Sequence, residues 1–133
     1  MSMDIIYGAI WVALGSMFGG VARFGISGFV ARTIGETFPW GTLTVNATGA
    51  LAIGILGGLA NSGHGLLSQP APWLFAVTGF LGCYTTVSSF SLQTLTLARE
   101  GERWRAIGNV AISLILCLGL AAIGFMLATG DLP

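Results

Sequence analysis

Four long apolar runs, parted by three short punctuated segments, leave this chain few ways to fold. A bilayer hydrocarbon core about 30 Å thick is crossed by about 20 mostly apolar residues in an α-helix. Residues 5–31, 40–60, 73–98 and 105–128 each meet that requirement. Between them lie residues 32–39, 61–72 (with "NSGHG" and "QPAP") and 99–104. Charged residues make up only 8% of the chain, against about 25% in an ordinary soluble domain, too few to clothe a water-facing surface. The predicted fold is an all-α membrane protein, one domain over residues 1–133, with four transmembrane helices. Trp40, Trp73 and Trp104 fall at span ends, where indole rings favour the membrane interface. An acid, Asp4, precedes the first run in place of a basic segment, which argues against a cleaved signal peptide.

Charge narrows the function classes. There is no lysine, and five arginines balance five acids, so the basic patch that a nucleic-acid partner requires is missing. Arg32, Arg99, Arg103 and Arg105 sit in or beside the first and third connections, whereas the N-terminus, second connection and C-terminus carry no Lys or Arg. By the positive-inside rule the termini are expected outside. Cys83 and Cys117 both lie in apolar runs and are expected as buried free thiols rather than a disulfide. Many of the 21 glycines sit inside spans, among them Gly15, Gly19, Gly49, Gly54 and Gly58. Small residues let helix backbones approach closely in lipid. Four such helices make a thin bundle, and a pathway forms more naturally between subunits than within one.

The polar residues inside the spans point to function. From Tyr84 to Ser91, six of eight side chains carry a hydroxyl. Isolated hydroxyls in membrane helices bond back to their own carbonyls, but six in so short a stretch suit a broken helix lining a cavity, where irregular backbone is tolerated at membrane depth. Asn46 shares a helix face with Thr42 and Gly49. It reads either as an interhelical hydrogen-bonding residue or as a pore-lining N–H donor for an anion. Arg23 is the one charge well inside a span, and either snorkels to an interface or attracts an anion into a cavity. Asn109, Ser113 and Cys117 follow one face of the fourth span, and Phe90, Gln93, Thr94 and Leu97 follow helical spacing in the third. No carboxylate lies mid-span, which counts against a proton-coupled antiporter. His64 falls in a connection and reads as an ordinary loop residue.

The motifs "GGVARF", "FPWGTLTVNATG" and "TGFLGCYTTVSSFS" resemble, in order and spacing, those of the Fluc (CrcB-type) fluoride channels. The resemblance covers essentially the whole chain. It implies an antiparallel dimer of four-helix subunits with two fluoride pores and a third helix broken mid-membrane. Carbonyls at positions matching Gly82 and Thr85 would bind one structural sodium ion on the two-fold axis. The pore asparagine matches Asn46, and Thr42, Ser88, Ser89, Asn109 and Ser113 match a hydroxyl-rich track. The family's two phenylalanines, three apart, present ring edges to the ion. Here the first is Val87 and the second Phe90. Cys83 stands where a second glycine is usual, and Gln93 where the family has a carboxylate. These departures are either single-site drift or signs of reduced conduction or of a chain built to pair with a different subunit.

The function so implied is passive export of fluoride through the inner (plasma) membrane, lowering the fluoride that accumulates when hydrogen fluoride diffuses in and ionises. No covalent chemistry is implied. The physics of such a site is independent of the resemblance. Fluoride is strongly hydrated, so it leaves water only where strong donors replace the water. Amides, hydroxyls and the positive edges of aromatic rings do this without the fixed charge that would hold the ion too tightly to leave. A small dual-topology multidrug-type transporter and a non-conducting membrane assembly subunit are the rivals.

Overall fold

A computed structural model describes residues 2–61 and 65–130. His64 and Asp131 lie outside the described residues. The chain forms α1 (Ser2–Ile34), α2 (Trp40–Asn61), a single 3-10 turn (Leu66–Ser68), α3 (residues 70–84), α4 (Val87–Arg99) and α5 (Arg103–Thr129). These give four segments long and apolar enough to cross a membrane, with α3 and α4 together making the third, Pro70–Arg99. Each runs slightly past the limits read from hydropathy, because helical hydrogen bonding continues into polar flanks until the backbone stops it. After α1 the stop is Gly35, at φ 98°, whose N–H closes on Ala31 O at 2.9 Å. After α5 it is Gly130, at φ 78°. Both use the left-handed conformation in which glycine ends a helix without a Cβ clash.

The residues of α3 do not form one regular helix. Residues 74–81 are wound as a π-helix, a wider turn often found beside functional sites, and the Gly82 N–H donates to both Gly79 O and Val77 O. This wide segment is the main partner of α1, while α2 packs chiefly on α5, and α4 also leans on α5. The small core is centred on Val45, Leu81 and Tyr84, with Ala22, Ala52, Leu56 and Phe80 against it. The Tyr84 hydroxyl hydrogen-bonds Thr48 Oγ1 at 2.8 Å, tying α3 to α2. Large apolar side chains cover the outside, such as Phe24 at 82% exposure and Ile115 at 71%, a surface suited to lipid or to another apolar face. Cys83 and Cys117 are free thiols, each half-buried.

Glycines carry the close contact between α2 and α5. A Cβ on Gly54 would strike Ala121 O, and one on Gly124 would lie 2.5 Å from Leu51 O. Thus α2 and α5 touch backbone to backbone. Gly54→Val is therefore expected to lower stability by about 1–3 kcal/mol or more, the range for overpacking, seen as a lower midpoint of thermal aggregation in detergent. Gly25→Ala, whose Cβ would meet nothing within 4 Å, is the control and is expected to be neutral or stabilising by up to about 1 kcal/mol. Equal midpoints for both variants would refute the close contact.

Candidate functional site: a polar seam where the third span is interrupted

Helical hydrogen bonding stops after Tyr84, and two residues run extended: Thr85 (φ −82°, ψ 159°) and Thr86 (φ −151°, ψ 120°). Asn46 of α2 faces this pair. Its Nδ2 donates to Thr86 O at 2.9 Å, and its Oδ1 accepts from the Thr86 N–H at 2.7 Å. One amide side chain thereby satisfies both backbone groups of a residue that has left the helix. Thr86 also starts α4 as its N-cap, its Oγ1 accepting from the Ser89 N–H at 3.2 Å in the usual capping manner. Its hydroxyl lies 3.1 Å from Ser88 Oγ and donates to Ser89 Oγ at 3.2 Å. Thr85 bonds back within α3, Oγ1 to Leu81 O at 2.9 Å.

The interruption leaves several carbonyls without their ordinary helical donors, Gly82 O and Thr85 O among them. In an unbroken helix the Thr86 N–H would bond Gly82 O, and the Ser89 N–H would bond Thr85 O. Both N–H groups are instead taken by side chains, Asn46 and Thr86. Gly82 and Thr85 both line an open groove of about 490 Å³ between α2, α3, α4 and α5.

Three cavities meet along this seam. The groove holds Asn46, Phe90 and Val87, with Ser113 and Cys117 from α5. On the other side of Thr86 lies a chamber of about 210 Å³, enclosed by Arg23, Ser27, Thr42, Thr86 and Ser89. Arg23 is half-buried and pairs with no carboxylate among the described residues. Thr42, Ser27 and Ser89 also line a third chamber of about 610 Å³. That chamber opens toward the connections carrying Glu36 and Glu100. The groove and the small chamber contain no carboxylate. Their polar groups are neutral donors, apart from one guanidinium.

The structure gathers most residues singled out from the sequence and sorts them by what they have left to offer. Asn46, Thr42, Ser89, Arg23, Gly82, Thr85, Val87, Phe90 and Ser113 all line these cavities. Val87 is 75% exposed in the groove. Ser88 is exposed and lines none of the three cavities. Asn109, only 1% exposed, lines none of the three and instead donates from Nδ2 to Thr94 Oγ1 at 2.8 Å, joining α5 to α4. For Asn46 the two readings are compatible: its Nδ2 carries two hydrogens, of which Thr86 O takes one. Sequence reasoning overlooked Thr86 as the centre of the site. The available signal was its place three residues before Ser89, the spacing at which an N-cap threonine meets a backbone N–H.

This arrangement defines a class: a multi-pass membrane protein in which a neutral, donor-rich seam crosses an interrupted span. The chain matches the family model described as CrcB-like protein, Camphor Resistance (CrcB), over residues 10–125, and it belongs to that family. It is 70% identical over 125 residues, covering 94% of this chain and 95% of the relative, to "Fluoride-specific ion channel FluC 2" of Rhodopseudomonas palustris (strain BisB18). It is 61% identical over 129 residues, 97% of this chain and 94% of the relative, to the protein of the same name from Bradyrhizobium diazoefficiens. A relative from Methylocella silvestris, named "Fluoride-specific ion channel FluC", is 44% identical over 90% of this chain and 91% of its own.

Proposed function

We propose that this chain is a fluoride-selective channel that exports fluoride passively through the inner (plasma) membrane. The observation that carries the reading is the Asn46–Thr86 seam. It is a set of uncharged donors at an interrupted span, in a chain 61–70% identical to proteins named as fluoride channels. Fluoride enters through the chamber of Arg23, Thr42 and Ser89, and passes the free N–H of Asn46 and the ring edge of Phe90. Ser113 provides a hydroxyl on the opposite wall. Ser88 and Asn109 serve this path indirectly, by supporting the Thr86 cap and the α4–α5 contact.

The interruption lies at membrane depth, and two chains pair antiparallel across the open groove. The Gly82 and Thr85 carbonyls, freed of their helical donors in residues that line that groove, suit a structural sodium ion. One chain supplies two oxygens and a second copy two more. The C-terminal end of α3 adds a favourable dipole for a cation, as at broken helices in transporters.

A second reading has its own support. The four arginines at the loop-one and loop-three end favour one insertion direction, whereas antiparallel pairing of identical chains needs both. Val87, with Phe90 in the same groove, leaves one ring where the resembled family has two. A partner of the same fold, with the opposite charge bias and both rings, would complete one pore.

Fluoride-electrode recording from liposomes containing only this chain tests both readings. The expected result is rapid fluoride efflux without a proton gradient and far slower chloride efflux. Comparable chloride flux, or efflux of organic cations coupled to protons, would overturn the channel reading. Silence from the lone chain, with flux restored by a second chain, would establish the paired-subunit reading.

A further inference from the structure

Tyr84 is the one residue of the hydroxyl-rich stretch that carries a ring as well as a hydroxyl, and it lines none of the three cavities. It is only 6% exposed. Its ring stacks on Phe80, centroids 5.7 Å apart and planes 16° apart, and its hydroxyl meets Thr48 Oγ1 at 2.8 Å. The direction of that bond follows from counting hydrogens. Thr48 has one hydroxyl hydrogen, and its own helix takes it, at Thr44 O (2.7 Å) and Val45 O (3.2 Å). Tyr84 therefore donates. Without Thr48 its O–H would be a buried donor lacking a partner, which is costly.

This bond is the second of two ties between α2 and the interruption. Asn46 holds Thr86, and Thr48 holds Tyr84. Residues two apart on a helix point to different sides, so the two ties grip α2 from different sides. Thr85 lies between them. A Cβ on Gly49 would strike Thr85 Cγ2 and lie 3.4 Å from Tyr84 Cδ1, so the missing side chain at Gly49 is the notch into which Thr85 fits. Residues 84–86 thus sit astride α2, with the Thr85 peptide enclosed by both ties and Gly82 two residues before the first.

We infer that Tyr84 is a positioning residue: by donating to Thr48 it fixes the Thr85 carbonyl relative to Gly82 O, and so sets how tightly the interruption holds a cation. This rests on the sodium reading above. Tyr84 stays outside the groove and acts through the backbone. Without its tie the Thr85 peptide is held from the Thr86 side alone, and oxygens that must be ordered at the moment of binding hold a ligand more weakly than oxygens already in place.

The test titrates sodium into the full chain in detergent, with ionic strength held by a bulky organic cation, and reads the dimer fraction at fixed protein concentration. Tyr84→Phe keeps the ring and removes the donor. The sodium concentration at which half the protein is dimeric is expected to rise about fivefold, the effect of one net hydrogen bond, while fluoride efflux at saturating sodium returns to the parent's rate. Thr48→Val is expected to raise that concentration further, because the buried Tyr84 hydroxyl then has no acceptor. The double variant is expected to return to the Tyr84→Phe value, since phenylalanine has no hydroxyl to satisfy. The inference is overturned if Tyr84→Phe dimerises at the parent's sodium concentration. It is also overturned if dimer and efflux stay low at saturating sodium, the mark of a packing role, or if the double variant is the worst of the three, which would mean that the two residues act separately. Failure of the sodium reading shows in the parent, whose dimer would then not respond to sodium, and the inference falls with it.

Discussion

Asn46→Leu is expected to lower fluoride efflux from liposomes by about 30-fold or more. Leucine keeps the bulk but leaves the Thr86 N–H and C=O, both held by Asn46, without partners. Each unsatisfied buried group costs about 1–3 kcal/mol. Two of them amount to at least about 2 kcal/mol, roughly a factor of 30 if the whole falls on the conducting arrangement. The donor N–H facing the groove is lost as well. Asn46→Asp separates the two contributions. A carboxylate still accepts from the Thr86 N–H, so much of the clamp persists and thermal stability should exceed that of the leucine variant. It cannot donate to fluoride and adds a repelling charge, so its flux should be equally low. Parent-like flux in Asn46→Leu would remove Asn46 from both roles. Flux in Asn46→Asp that tracks its stability would leave only the clamp.

Prolonged removal of sodium should have a comparably large effect. With Gly82 O and Thr85 O deprived of their helical donors in residues that line an open groove, the proposed pairing of two chains without a cation would bring four carbonyl oxygens together, their partial charges unopposed. Dialysis against a bulky organic cation is expected to abolish most of the flux and shift the detergent-solubilised protein from dimer to monomer, both reversed by returning sodium. Unchanged flux and unchanged dimer after exhaustive exchange would exclude the site. The carbonyls would then be satisfied by water or by the partner's donors.

The legible part of this protein follows from one-dimensional rules. Lipid demands about 20 apolar residues per crossing, and the four runs could be counted directly. Their ends were set a few residues further out, since hydropathy marks what lipid covers and not where hydrogen bonding stops. The clustered hydroxyls from Tyr84 to Ser91 foretold irregular backbone, because a regular helix has no use for so many. What could not be read was the allocation of each group. Asn46 and Asn109 look alike in sequence, each a lone amide in an apolar span. The fold sends one to the backbone of Thr86 and the other to the hydroxyl of Thr94, because α2 runs past the interruption while α5 meets α4 beyond it.

The sequence by itself determined that the chain crosses a membrane four times, that its helices pack closely, and that uncharged donors concentrate in the third span. Those properties depend on composition and spacing along the chain, which no partner is needed to define. The tertiary structure alone decided that Thr86 is the hub, that Gly82 and Thr85, whose carbonyls lose their helical donors, line a groove, and that Gln93 keeps an unpaired oxygen. Each is a matter of which donor reaches which acceptor. Hydrogen bonds act over about 3 Å, so their pairing is fixed only when segments 40 residues apart, such as Asn46 and Thr86, are brought side by side.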